Sequence, residues 1–136
     1  ALPSTAGDPT TEPWFQRTVD AFRAAAAGTG GAVCWLAGAD LAHVGPMFGD
    51  PSPVDDVALR QLEQRDRSRL HHLEVAAPGA FHRATEGCGN ADRVCSAAAI
   101  TLVAALAGGP ARLLHYGQAA AGDGHQAVTY CAASFD

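Results

Sequence analysis

The sequence has no lysine. All nine basic residues are arginine, set against fourteen acidic ones, and the formal net charge is −5. There is no basic run or patch, so nucleic acid is excluded as an expected partner. No apolar run approaches the ~20 residues that a membrane-spanning helix needs, and no secretory signal is visible. The expected compartment is therefore the cytoplasm, with no membrane partner. Cysteines are few: Cys34, Cys88, Cys95 and Cys131. They form neither a C-x-x-C pair nor a zinc-type Cys/His spacing, which argues against a self-contained structural zinc site. Disulfide frameworks belong to small secreted scaffolds, so all four are expected as free thiols, with Cys34 and Cys131 buried in apolar runs.

What is present fits one domain of 136 residues. Hydrophobic residues make up 48%, but alanine supplies much of that and buries little surface. The core is expected to rest on Phe22, Val33, Trp35, Leu36, Leu59, Leu62, Ile100, Leu102, Leu106, Leu113, Leu114 and Val128. Residues 1–12 read as a loop. Pro13 opens a helix through Ala27, with Thr11 as a cap and Phe15, Val19 and Phe22 at helical spacing. Gly28, Gly30 and Gly31 end it. Ala32–Ala37 is a short, uncharged apolar run of strand length, expected to be buried on both faces of a sheet. Ser52-Pro53 opens a second helix to about Leu73, and a short one follows Pro78. Glu86–Asp92 is a polar loop. Ser96 caps a helix through Ala107, stopped by Gly108-Gly109-Pro110. Arg112–Gln118 and Gln126–Ala133 alternate like two strands. The order of elements predicts an α/β fold.

The chemistry gathers where Ala32–Ala37 gives way to a polar, glycine-rich loop. Open α/β sheets place their sites beyond strand ends, and here stand Asp40 and His43. Their spacing puts a carboxylate and an imidazole on one side of a turn. Histidine suits proton transfer near neutrality, and an aspartate can fix its tautomer. The plain alternative is a surface Asp beside a loop His. Cys95 precedes the helix from Ser96, where a helix N-terminus and Arg93 favour a thiolate, which is both nucleophile and metal ligand; the plain alternative is an inert structural thiol. His71 and His72 read as solvated, His82 as packed beside Phe81, His115 and Tyr116 as facing opposite ways, and His125 as a turn residue. Gly45–Gly49 lacks the lysine and the helix signature of a phosphate loop.

The stretch Gly38-Ala39-Asp40-Leu41-Ala42-His43-Val44-Gly45-Pro46-Met47-Phe48-Gly49-Asp50 resembles the Asp-Leu-Ser/Ala-His-Val-Gly motif of Memo-like proteins of the AmmeMemoRadiSam system protein B type. These are related to class III extradiol ring-cleaving dioxygenases. The resemblance continues through Asn90-Ala91-Asp92-Arg93-Val94-Cys95, Leu113-Leu114-His115-Tyr116-Gly117-Gln118 and Ala127-Val128-Thr129-Tyr130-Cys131-Ala132-Ala133. It implies a Memo-like mixed sheet flanked by helices, half of a larger sheet completed by another polypeptide. By resemblance Cys95 falls on a metal-ligand cysteine, His43 on the acid/base histidine beside the metal, and Asp40 on the acid of the same motif. The implied metal is iron or copper, the implied substrate a small molecule. Ser96 and Ala99 stand where the family has Gly and Pro. Only the C-terminal half of the family pattern is matched, so the remaining metal-binding histidines are expected from a second polypeptide resembling the N-terminal half. The implied activity is that of a metal-dependent oxidoreductase. The competing expectations are a non-catalytic Memo-like module that binds ligand or protein, and nucleophilic catalysis by Cys95 with His43 as base.

Overall fold

The computed structural model describes residues 7–87 and 89–135. Four helices pack beside a three-stranded antiparallel sheet. The helices are α1 (Pro13–Ala27), α2 (Asp56–Glu74), α3 (Pro78–Glu86) and α4 (Ala97–Ala107). The strands are β1 (His43–Val44), β2 (Ala111–Ala120) and β3 (Ala127–Phe135), in the order β1-β3-β2. The α/β class holds. The sheet of the described residues is antiparallel throughout, where a mixed sheet was expected. No described helix is long and apolar enough to cross a membrane.

Local chemistry sets the helices. Asp55 caps α2 by accepting the Ala58 N–H at 2.8 Å, Asp56 lies in the first turn, and His71 and His72 lie in the last. Both aspartates complement the helix dipole. Leu62, Asp66, Leu70 and Leu73 then recur along one buried face. α4 ends at Gly108, whose φ of +75° is the left-handed conformation that closes a helix. The main core joins α2, α3 and α4 through Leu62, Leu70, Leu73, Phe81, Val94 and Ala104 to Leu41 and Ala42. A smaller cluster seats α1 on α4 through Phe15, Val19 and Leu106. α1 has no side-chain cap; Thr11 instead donates to the Asp8 carbonyl in a short turn before it.

β2 and β3 pair along their length, with an irregularity between Leu113 and His115 that leaves Leu114 as an extra residue. After it Tyr116 faces the helices and His115 faces out. Gly117 lies opposite Tyr130, whose ring end covers it, so a Cβ there would have to push the exposed Tyr130 ring aside.

The largest correction concerns Ala32–Ala37, which is not a strand. It runs beside the sheet with no ladder pairing among the described residues, and Val33, Cys34 and Leu36 are exposed, Leu36 by 86%. A strand needs a neighbouring edge that rewards pairing. On the β3 side the adjoining cleft is lined by Ala37, Ala39 and Ala133, methyl groups that cover little area. This apolar cleft of about 120 Å³ lies among these residues, Trp35, Leu70 and Ile100. Phe22 and Leu114 are also exposed rather than core. Cys34 is thus a surface thiol. Cys34, Cys95 and Cys131 are free, and Cys131 is half-buried, its thiol pushed up by burial and then by Asp66. Cys88 and residues 1–6 of the leading loop lie outside the described residues.

Candidate metal and acid/base site

The site is built where β1 leaves β3. The Leu41 N–H donates to the Thr129 carbonyl at 2.8 Å, and the Thr129 N–H returns to the Ala42 carbonyl at 3.0 Å. Two residues therefore face one, the count of a β-bulge, a device that re-aims side chains beside functional sites. The Thr129 hydroxyl completes it by accepting the Ala42 N–H at 2.9 Å and donating to Asp66 Oδ2 at 2.6 Å. Asp40 stands just before this bulge and His43 just after it.

The second wall is the loop Asn90–Ser96. Asn90, at φ +49°, accepts the Val94 N–H through Oδ1 at 2.8 Å and donates through Nδ2 to the Val94 carbonyl at 3.1 Å. That side chain acts as a backbone partner and closes the loop. The Asp92 carbonyl accepts the His43 N–H at 2.8 Å, joining the two walls. The Ser96 hydroxyl, expected to cap α4, donates instead to the Asp40 carbonyl.

The result brings Asp40, His43 and Cys95 together. Their donor atoms all lie within 4.8 Å of one another. His43 Nε2 is 3.1 Å from Asp40 Oδ2, and Cys95 Sγ is 4.0 Å from Asp40 Oδ1. The cluster is reachable: Asp40 is partly exposed, Cys95 exposed, and His43 more sheltered. Residues more than fifty positions apart thus meet at one spot.

The His43 ring is oriented from behind. Nδ1 lies 3.0 Å from the Arg93 carbonyl, which can only accept, so Nδ1 carries the hydrogen. A neutral ring then has a lone pair on Nε2, aimed at a carboxylate oxygen. Two acceptors do not rest at 3.1 Å without a cation between them. Two occupants satisfy this geometry: a second proton, giving an imidazolium–carboxylate pair, or a metal ion. A histidine whose far nitrogen donates to a carbonyl is the usual arrangement behind a metal ligand. One carboxylate, one imidazole and one thiol also form a donor set suited to iron, copper or zinc rather than magnesium or calcium. The three residues therefore fit a metal. They could also move a proton between His43 and Asp40 without one.

Comparison of this chain with protein-family models, curated proteins and solved structures finds no match. The chemistry of the site must therefore be read from its own atoms.

Behind the cluster lies a charged frame that the sequence reading did not single out. Asp66 is 1% exposed and accepts from Thr129, from Tyr116 Oη at 2.9 Å and from Arg69 Nη1 at 3.0 Å. Burial and Asp66 push the Tyr116 phenol well up, which keeps it a donor. Asp92 accepts a two-point contact from Arg65 at 2.9 and 3.0 Å, and another from Arg69. Burial alone would raise the Asp92 carboxyl, but the two guanidiniums outweigh it and hold it below the usual carboxylate range. α2 thus carries both walls: Asp66 through Thr129, and Arg65 and Arg69 through Asp92. The signal was present, because Asp66 sits four residues after Leu62 and four before Leu70, in the middle of an apolar stripe. Arg93 does not turn to Cys95 as expected; its guanidinium goes to Asp50 and to the His43 carbonyl.

The other histidines stay apart from the cluster. His71 is exposed beside Glu74, His82 is buried next to Phe81, His115 faces out near Tyr130, and His125 is an exposed turn residue.

Proposed function

We propose that this chain is the C-terminal half, or small subunit, of a Memo-like, metal-dependent oxidoreductase of the dioxygenase-like class, acting on a small molecule in the cytoplasm. Cys95 would hold iron or copper, with Asp40 and His43 within reach as further ligands or as the acid/base pair. Such an ion would supply a Lewis acid and a one-electron couple. The chain's own residues would do the rest: the Arg93 carbonyl keeps the proton of His43 on Nδ1, and Asp40 stands beside Nε2 to share or accept a proton. The observation that carries the reading is the convergence of a carboxylate, an imidazole and a thiol, with donor atoms within 4.8 Å of one another and His43 Nε2 turned toward Asp40 Oδ2.

The counting that required a second chain changes with Asp40 in the cluster. Three donors already match the protein share of a catalytic site with an open position. A partner resembling the N-terminal half of Memo-like proteins remains part of the proposal for a different reason: Val33 and Leu36 are exposed apolar residues beside an apolar cleft. The same surface favours the second reading, a non-catalytic Memo-like module that binds a ligand or protein there.

Elemental analysis of the protein purified from its native genetic context, with whatever polypeptide accompanies it, separates the two. The enzyme reading expects near-stoichiometric iron or copper that falls at least tenfold in Cys95→Ala. A preparation without metal, or a metal content unchanged by Cys95→Ala, overturns it and leaves the binding module.

A further inference from the structure

We propose that Asp50 and Arg93 are positioning residues that hold the His43 ring with Nε2 toward Asp40 and Cys95. The inference rests on the cation-site reading of those three residues and adds the pair that makes His43 able to serve it. Neither Asp50 nor Arg93 offers an atom to the cluster.

Arg93 grips His43 at two points. Its carbonyl accepts the Nδ1–H at 3.0 Å, and its Nη1 donates to the His43 carbonyl at 3.1 Å. Arg93 does so at φ +55°, a left-handed conformation that few arginines adopt, so its surroundings must hold it there. Asn90 holds the backbone, its carbonyl accepting the Arg93 N–H at 2.8 Å, and Asp50 holds the guanidinium. Oδ1 accepts from Arg93 Nη2 at 2.6 Å, and Oδ2 accepts the Gly45 N–H at 2.7 Å. The second bond closes the loop Gly45–Asp50, and that loop sets Phe48 edge-on to the His43 ring at 5.2 Å between centroids. Gly45 is fixed in turn: at φ +110°, a Cβ would come within 2.7 Å of the His125 carbonyl.

The consequence is a choice of tautomer. While the Arg93 carbonyl is in place, the one proton of the neutral ring stays on Nδ1 and Nε2 keeps its lone pair. Once Arg93 is released, the proton can move to Nε2 and donate to Asp40 Oδ2, 3.1 Å away. A ring in that tautomer cannot bind a cation through Nε2. The Asp50–Arg93 pair therefore biases His43 toward facing the cluster as an acceptor.

The test uses the whole chain and two independent readouts. Long-range ¹H–¹⁵N NMR of the metal-free protein at pH 7.5 reports which His43 nitrogen carries the proton. Titration with Co²⁺ reports affinity through the thiolate charge-transfer band. We expect the Nδ1–H tautomer in the native chain and a shift toward Nε2–H in Asp50→Asn. Cobalt affinity should fall roughly tenfold to a hundredfold in that variant, the range seen when such supporting partners are removed, and Asp50→Glu should restore most of it. Should Asp50→Asn not fold, Arg93→Lys keeps the charge but loses the fork that joins Asp50 to the His43 carbonyl, which loosens the hold on the residue 93 carbonyl, and the same shift is expected. An unchanged tautomer in these variants overturns the proposal. A native chain that takes up no Co²⁺ ends the cation-site reading instead, and the tautomer measurement still decides the role of Asp50 and Arg93.

Discussion

Ala32–Ala39 and Leu41–Asp50 adjoin in sequence and are held in opposite ways. The first is apolar, extended and without a ladder partner among the described residues. The second has little regular structure, yet nearly every residue that shapes it is tied: Leu41 and Ala42 to Thr129, His43 to Asp92 and Arg93, Gly45 to Asp50. The first segment is placed mainly by Trp35 against Phe22 and the α1–α4 cluster, whereas the second is held by many hydrogen bonds at once. Of the three clustered side chains, His43 sits on the second segment, Asp40 at the junction of the two, and Cys95 on the loop that meets them.

The hardest way to break this contrast is through Asp66. It is buried and serves Thr129, Tyr116 and Arg69 at once. Asp66→Ala leaves two hydroxyls without their acceptor and takes one of two carboxylates from Arg69, which keeps Asp92, so a loss of about 3–5 kcal/mol is expected. Urea denaturation measures it; a loss below about 1 kcal/mol would mean that the frame behind the site is not closed in solution. Thr129→Val is a finer cut. It keeps the shape, removes the acceptor for the Ala42 N–H and the donor to Asp66, and should cost about 1–3 kcal/mol. Hydrogen exchange should show the Ala42 amide losing protection while amides in the middle of α2 keep theirs.

Acid tests the same frame more gently. Asp92 has a folded pKa held below its ordinary value, and Asp50 has one too, lowered first by Arg93 and then by the Gly45 amide. A depressed carboxylate contributes stability above its unfolded pKa and loses it as pH falls through the folded one. The melting temperature should therefore be flat from pH 7 to about 5 and fall below about 4, close to the ordinary carboxylate value. Asp92→Asn should be less stable by about 1–3 kcal/mol at pH 7, as expected for hydrogen bonds to a charged group. Its stability should also fall less steeply below pH 4 than that of the native chain. An equally steep fall in the variant would place the acid sensitivity elsewhere.

How much of this could be read in the sequence follows the same division. The helices were legible from Pro13, Pro78 and Gly108, but α2 starts at Asp56 behind an Asp55 cap rather than at Ser52-Pro53, because the Asp55 side chain is what accepts the Ala58 N–H. The two long strands were legible from their alternation. Asp40, His43 and Cys95 could be named because their residue types carry chemistry wherever they sit. Ala32–Ala37 was misread because its composition describes the segment and not the alanine-poor edge it would need opposite. Asp66, Thr129 and the Asp50–Arg93 pair were missed because their roles exist only between elements far apart in the chain. An aspartate in an apolar helical stripe was the one local hint.

The smallest expected effect tests the other side of the contrast. Leu36 is a large apolar residue, 86% exposed, in the untied segment. Removing it should take away almost no folding energy, so Leu36→Ser is expected to change stability by less than about 0.5 kcal/mol, the range of ordinary surface substitutions. Trp35, its neighbour, is half-buried and meets Phe22 edge-to-face at 5.8 Å. Trp35→Ala should cost more, because it removes that ring pair and part of the cleft wall together. The ordering of the two variants is what matters. If Leu36→Ser proves as damaging as Trp35→Ala, the segment is packed in solution and the contrast with Leu41–Asp50 fails. If Leu36→Ser folds normally but fails to bind the partner chain proposed above, where the native chain binds it, the exposed side chain is held for that partner. The looseness of Ala32–Ala39 would then be a property of the lone chain, and it would vanish in the complex.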